Sequence, residues 1–182
     1  MLKKALFATT IVLGSLTATQ HVMAQDQKEE TVLERPGASG VSAVDAYSTK
    51  AFDTYDESRK ITHDINFIKV EIKEVPPNKD GVTTETKITT GDGKTLTKEE
   101  ALKQFAALLL RTVQQNKNIT ALAELQKPAA EGVKSAPMMK KPKAGKECSA
   151  AGDAQAYVVA ETKKQTDLIN QQMSTIKAIK NN

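Results

Sequence analysis

The chain has few side chains that could perform covalent chemistry. It contains one cysteine, Cys148, and two histidines, His21 and His63. Nucleophilic catalysis by serine or cysteine needs a histidine base and a third group that orients that base. His63 stands beside Asp64 in a stretch of helical periodicity, so we interpret it as a solvated side chain on a polar helix face. The sequence therefore predicts no catalytic triad, and we expect a protein that is not an enzyme.

The carboxylates and the possible metal ligands also give no pattern of an active site or a metal site. Asp53, Asp56 and Glu57 are spaced so that they share one solvent-facing helix surface, where they are ordinary surface charges and not a general acid and base. One histidine and one cysteine cannot form a structural zinc site. Asp80-Gly81 and Asp92-Gly93 lack the spaced acidic ligands of a calcium loop, so we interpret both as turns. We predict no metal and no cofactor.

The clearest charged feature is a group of lysines in residues 128–147, a stretch rich in lysine and proline. This Lys cluster is interleaved with prolines and with Met138-Met139, and comprises Lys134, Lys140, Lys141, Lys143 and Lys146. Basic residues near an anionic membrane contribute roughly 1 kcal/mol each, so an anionic envelope surface is one candidate partner. The alternative is a flexible soluble linker between two helices. Nucleic acid is not expected, because no aromatic residues are interleaved for base stacking.

Cys148 has no second cysteine with which to form an internal disulfide. Three interpretations remain open: a buried small hydrophobic residue, an intermolecular disulfide between two copies, or an unpaired thiol that is tolerated. Its position directly after the Lys-rich stretch, where we expect exposure, favours the second and third interpretations.

Residues 1–24 have the pattern of a secretory signal peptide. Lys3 and Lys4 form the basic region, an apolar segment follows, and Val22-Met23-Ala24 forms a small-residue cleavage site before Gln25. The alternative is a membrane anchor, but threonine and serine interrupt the apolar run, which is shorter than the roughly 20 residues that a spanning helix needs. We expect a bacterial protein that is periplasmic or secreted, with no transmembrane segment after cleavage.

Cleavage would remove 24 of the 182 residues and leave 158, enough for one domain with a core. The removed segment holds two lysines and no acid, so the formal net charge falls from +4 to +2 and gives no argument for nucleic-acid binding. Tryptophan is absent and aromatic residues are few, a composition that suits long helices with a thin apolar seam. Residues 25–41 are polar and contain proline and glycine, so we predict a flexible leader there.

Helical periodicity is strongest in residues 97–127. Thr97 and Glu100 have the spacing of a capping box, and apolar residues then recur every three or four positions until Pro128. The predicted seam comprises Leu102, Phe105, Ala106, Leu109, Val113, Leu122 and Leu125. Asn116 also falls in this seam, where a polar residue can set register or partner number instead of adding stability. The alternative is that the seam turns outward at Asn116.

Two further helices are predicted, over residues 42–75 and 150–180. Residues 66–75 alternate β-branched with charged side chains and fit either a helix end or a strand, and a small hairpin is predicted over residues 82–96. Thr162 and Gln165 interrupt the apolar edge of the last helix, so we expect it to pack less tightly. The predicted fold is all-α: a long three-helix bundle or coiled-coil-like arrangement, with a hairpin between the first two helices.

These features favour an exported, non-enzymatic structural or interaction protein of a bacterial cell envelope, such as a small subunit or accessory factor of a surface or secretion assembly. A protein partner or self-association is expected. One alternative is a periplasmic holdase-type chaperone. Another is a helical carrier of a lipid or small ligand, in which the helices enclose an apolar cavity lined by Phe105, Leu109, Val113 and Tyr157.

Overall fold

The structure, a computed structural model, describes residues 32–74 and 84–179. It contains, in chain order, helix α1 (Ser42–Phe67), strands β1 (Ile68–Glu74) and β2 (Thr84–Thr90), and helices α2 (Lys98–Ser135) and α3 (Lys141–Ala178). The predicted fold class is confirmed: three packed helices form a bundle, with a two-stranded antiparallel hairpin between the first two. The predicted signal peptide, residues 1–24, lies outside the described residues.

The helices α1 and α3 run in the same direction, and α2 runs against both. Tyr47, near the start of α1, donates a hydrogen bond to Gln155 in the first half of α3. Lys50, also near the start of α1, donates to Asn118 in the second half of α2. One end of the bundle, which we call the tip, therefore holds the start of α1 and the turn between α2 and α3. The hairpin lies at the opposite end.

The core consists of two apolar clusters along the bundle axis. The tip cluster comprises Val44, Tyr47, Ala51, Phe52, Tyr55, Leu122, Ala129, Ala144, Ala151, Ala154 and Val158. The hairpin cluster comprises Ile61, Ile65, Ile68, Ile88, Leu96, Ala101, Phe105, Leu108, Ile169 and Ile176. All three helices contribute to both clusters, so burial of these side chains is what holds the long helices side by side.

The first helix ends at Phe67 and not at residue 75, because the alternating stretch that follows it forms a strand. β1 pairs with β2 from Ile68↔Thr90 to Glu74↔Thr84. Ile68 and Ile88 are buried in the hairpin cluster, which stabilises a two-stranded ribbon that would be marginal alone. The hairpin predicted over 82–96 is thus only partly correct. The chain turns after β2 as predicted. Among the described residues, however, the segment after this turn forms one isolated bridge, Thr89↔Thr95, and not a second full strand.

The prediction that residues 128–147 form a linker is wrong, because α2 continues through Pro128 to Ser135. A proline inside a helix removes one backbone hydrogen bond and costs about 3 kcal/mol. Here the turn after the proline is packed against α1: Ala129 is fully buried, and a Cβ added at Gly132 would lie 3.2 Å from Cγ1 of Val41. Burial of Ala129 and the close packing at Gly132 favour continuation of the helix past the proline.

Only residues 136–140 connect α2 to α3. The Pro137 carbonyl accepts hydrogen bonds from the backbone N–H groups of Lys140 and Lys141 at 2.8 and 3.0 Å, which closes a tight turn. α3 then begins at Lys141, well before the predicted start near residue 150. Pro142 lies in its first turn, where a missing N–H costs no helical hydrogen bond.

The described part of the predicted leader, residues 32–41, is ordered against α1, so the prediction of flexibility is wrong there. We call this segment the strap. The Leu33 N–H donates to the Tyr55 hydroxyl at 3.0 Å, and Arg35 lies 2.6 Å from Asp53 and 3.0 Å from Asp56. The strap runs against the direction of α1 and reverses at Gly40, whose φ of +76° suits glycine.

Candidate functional site

The acidic residues of α1 form ion pairs at the surface. Arg111 contacts Glu57 at 2.8 Å and Asp64 at 2.6 Å. The His63 side chain is 75% exposed, and its Nδ1 lies 3.2 Å from Oδ1 of Asp64. Exposed ion pairs of this kind contribute about 0–1 kcal/mol to the free energy of unfolding, so they stabilise the fold only slightly. Within residues 32–74 and 84–179, no group of three histidine, cysteine or acidic side chains converges to hold a metal.

A buried polar layer separates the two apolar clusters. At its centre, Nε2 of Gln115 on α2 lies 3.2 Å from Oγ of Ser58 on α1. The same nitrogen lies 2.6 Å from Oγ1 of Thr162 and 3.0 Å from Oε1 of Gln165, both on α3. Each of these four residues is at most 3% exposed. One amide on α2 therefore links all three helices.

Gln165 completes the layer. Its Nε2 donates to the Ser58 carbonyl and to Oγ1 of Thr62, each at 2.9 Å. Oε1 of Gln115 is buried and accepts no hydrogen bond from the described residues. These bonds form only when the three helices are at one relative height, because a shift would leave buried amides unpaired at about 1–3 kcal/mol per group. The polar layer thus fixes helix register.

This layer bears on two expectations about seam residues. Asn116 is exposed, which agrees with the alternative that the seam turns outward there, and the neighbouring Gln115 is buried. Thr162 and Gln165, expected to loosen the last helix, are buried and hydrogen-bonded across the bundle. The signal was present in the sequence, since these two side chains interrupt an otherwise apolar edge. The sequence did not reveal their buried partner on α2, which is Gln115, the residue directly before Asn116.

The residues expected to line a ligand cavity do not surround a common space. Phe105 lies in the hairpin cluster, whereas Tyr157 packs against the tip cluster. Leu109 is partly buried beside the hairpin cluster, and Val113 is 49% exposed. Between the two clusters lies the polar layer. This arrangement counts against an apolar carrier cavity formed by these four side chains.

The outward face of α2 carries exposed apolar side chains that the predicted seam misplaced. Leu110 is 72% exposed and Val113 is 49% exposed. They are three positions apart and so share one helix face. The buried positions in this part of α2 are Leu108, Thr112 and Gln115, one step away from the predicted seam. An exposed pair of this kind is a candidate contact for another molecule.

The Lys cluster lies at the tip of the bundle. All five lysines are exposed, and none forms an ion pair with another described residue. Lys140 is the one held in place, since its Nζ donates to the Gly40 carbonyl at 3.0 Å. Met138 and Met139, at the turn between the helices, are 84% and 96% exposed. The tip thus presents two apolar side chains surrounded by positive charge.

Cys148 is partly buried on α3, where it packs against the tip cluster. The expectation that it lies in an exposed stretch is therefore wrong, because that stretch is helical. Burial raises the pKa of the Cys148 thiol, which keeps it protonated and lowers its reactivity. An intermolecular disulfide at this position remains a prediction, and it would require the tip of α3 to open.

The strap is anchored where it meets both α1 and α3. The Ser39 N–H lies 2.8 Å from Oδ1 of Asp45 and 2.7 Å from Oε2 of Glu147, which is 3% exposed. The Ser39 hydroxyl donates to the same Asp45 oxygen at 2.7 Å. Sequence reasoning missed this anchor because Ser39 and Glu147 are 108 positions apart. It holds the start of the described chain against the last helix.

The anchor predicts a dependence of stability on pH. The hydrogen bond from the Ser39 hydroxyl holds the pKa of Asp45 below its ordinary value of 3.8. A carboxyl whose pKa is lowered by folding contributes stability above its ordinary pKa and loses it as pH falls through the folded value. We expect Asp45→Asn to reduce the free energy of unfolding at pH 7, with the gap from wild type shrinking below about pH 4.

Urea unfolding of both proteins at pH 7 and pH 3 measures this gap. The exposed Asp167→Asn is the matched control and should show no comparable change. A gap for Asp45→Asn that is equal at the two pH values would contradict the role assigned to the carboxylate.

Within the described residues, no helix carries an apolar stretch long enough to cross a membrane. The exposed features described above that could contact another molecule are the outward face of α2 and the basic tip. Comparison with protein-family models, curated proteins and solved structures gave no match to this chain.

Proposed function

We propose that this chain is an exported, non-enzymatic helical interaction protein of a bacterial cell envelope, located in the periplasm or secreted. The observation that carries the proposal is the packing of the interior. Two apolar clusters and the polar layer between them fill the bundle with its own side chains. Contacts with other molecules are then made by the surface, as in a small subunit or accessory factor of an envelope assembly.

The outward face of α2 is the proposed contact for a protein partner. Leu110 and Val113 are exposed there, whereas Leu108 on the same helix is buried in the hairpin cluster. Apolar side chains at the centre of a contact, with polar groups around them, are typical of protein interfaces. The flanking exposed lysines, Lys103 and Lys117, would lie at the rim.

Site-specific photocrosslinking in living cells tests the proposal. A photoreactive phenylalanine analogue at Leu110 is expected to give one defined crosslinked species with a protein of the cell envelope. The same analogue at Lys163, on the exposed side of α3, is the matched control and should give none. The processed chain, purified from the envelope fraction, should begin at Gln25.

Two results would each contradict a part of the proposal. A full-length chain that stays in the cytoplasm with Met1 intact would contradict the proposal that the protein is exported. Equal crosslinking from positions 110 and 163, or none from either, would remove the assigned contact face.

A holdase-type chaperone is the second candidate, and the same exposed side chains favour it. Leu110, Val113 and the two tip methionines could contact unfolded clients, since methionine adapts to many apolar shapes. A chaperone would suppress aggregation of a heat-denatured model protein at equimolar amounts and crosslink to many species. A subunit of a defined assembly would do neither.

A further inference from the structure

The turn between α2 and α3 closes one end of the bundle and is held by hydrogen bonds. The Pro137 carbonyl accepts two backbone hydrogen bonds, and Lys140 is tied to the Gly40 carbonyl of the strap. Met138 and Met139 stand at the outermost part of this turn and are almost fully exposed. Two adjacent apolar side chains held outward on a short, closed turn are not covered by any other described residue.

Positive charge surrounds these methionines on both helices. Lys134 lies in the last turn of α2, and Lys141, Lys143 and Lys146 lie at the start of α3. No acidic residue occurs between Gly132 and Lys146. The next acid along the chain, Glu147, is buried and accepts a hydrogen bond from the Ser39 N–H, so it does not face the lysines' outer side. Between Gly132 and Lys146 the exposed charge is thus of one sign, and the acids near this end of the bundle are Asp45, whose carboxylate accepts from Ser39 and Gly40, and Glu131 on α2.

We propose that the tip binds the surface of an anionic lipid bilayer. Met138 and Met139 enter the boundary between headgroups and acyl chains, and the lysines contact the headgroup phosphates. This combination of an apolar point and a basic ring is the chemistry of peripheral membrane attachment. The inference deepens the proposed envelope function by naming a partner for the Lys cluster.

The shape of the tip favours a bilayer over other anionic partners. Two highly exposed methionines on a tight turn can insert into a soft surface, whereas a protein partner would need a matching acidic pocket. Nucleic acid would be bound by aromatic stacking, and no aromatic residue lies between Lys134 and Lys146.

A fluorescent probe at the tip tests insertion directly. The chain contains no tryptophan, so Met139→Trp introduces a single one. With vesicles that contain phosphatidylglycerol, its emission should shift to shorter wavelength and be quenched by lipids brominated on the acyl chains. Pure phosphatidylcholine vesicles should produce neither change. Leu110→Trp, at an exposed site on α2 far from the tip, is the matched control and should respond to neither vesicle.

Lysine substitutions test the electrostatic part by vesicle sedimentation. Each tip lysine should contribute about fivefold to the partition coefficient, so Lys141→Gln/Lys143→Gln should weaken binding by roughly 25-fold. The control Lys163→Gln/Lys164→Gln removes the same charge from the exposed side of α3 and should change binding by less than about threefold. Circular dichroism checks that all variants keep the bundle.

Three results would overturn the proposal: no spectral shift at position 139, an equal shift at position 110, or equal weakening by the two lysine pairs. Binding to an acidic polypeptide or to DNA without binding to the vesicles would assign the tip to another partner. These measurements use purified protein, so they fail or succeed independently of export and of crosslinking at Leu110.

Discussion

Gln165→Leu should lower the free energy of unfolding by about 2–4 kcal/mol, as measured by urea unfolding followed by circular dichroism. Leucine is close to glutamine in size, so the loss comes from hydrogen bonds and not from a cavity. The substitution removes one of the three acceptors around the Gln115 amide and the donor to Oγ1 of Thr62 and to the Ser58 carbonyl. Unpaired buried polar groups cost about 1–3 kcal/mol each.

The double variant Gln115→Leu/Gln165→Leu should recover about 1 kcal/mol or more of that loss. Replacing both partners removes unpaired amides and joins the two apolar clusters. The matched control is Asn116→Leu, which changes the neighbouring exposed residue and should shift stability by less than about 0.5 kcal/mol. Light scattering should show an unchanged oligomeric state for Asn116→Leu. If the double variant is less stable than Gln165→Leu alone, the two glutamines do not act as a pair.

Phe105→Ala should lower the free energy of unfolding by about 3–5 kcal/mol. Phe105 is fully buried in the hairpin cluster, where it packs with side chains of α1 and α3. Removing its ring leaves a cavity among the side chains of the hairpin cluster. Because a domain of this kind is stable by about 5–15 kcal/mol, this single change should remove a large share of the total.

Leu110→Ala is the control for Phe105→Ala, since it shortens a side chain that is 72% exposed on the same helix. Its effect should stay within about 0.5 kcal/mol. Similar losses for the two variants would show that burial does not distinguish positions 105 and 110, and would contradict the assignment of the core face of α2.

The parts of the fold that could be predicted from sequence are those that depend on local patterns. Thr97 accepts a hydrogen bond from the Glu100 N–H, and Glu100 in turn accepts from the Thr97 N–H, so the capping box starts α2 where its spacing indicates. The helical periodicity of three segments also predicts three helices with a hairpin between the first two, although the alternation after Phe67 left a helix end or a strand open and the hairpin was placed over residues 82–96.

The parts that could not be predicted depend on contacts between distant segments. Pro128 by itself predicts the end of a helix, yet α2 continues to Ser135. The turn after the proline packs closely at Gly132 against Val41, a contact that the sequence does not indicate. From sequence alone the strap has the pattern of a polar leader, because its hydrogen-bond partners Tyr55 and Glu147 are distant in the chain. The position of Val113 was predicted wrongly and that of Asn116 was left open for one reason: α2 has apolar residues on two adjacent faces, and only its neighbours determine which face is inside.

The direction of the three helices has an electrostatic consequence for the tip. α1 and α3 both begin there, and α2 ends there. Each helix carries a dipole equivalent to about half a positive charge at its N-terminus and half a negative charge at its C-terminus. Two dipoles of one sense and one of the other leave about half a positive charge at this end of the bundle. An odd number of helices thus gives the backbone itself a polarity that matches the lysines, and removing lysines would leave it in place.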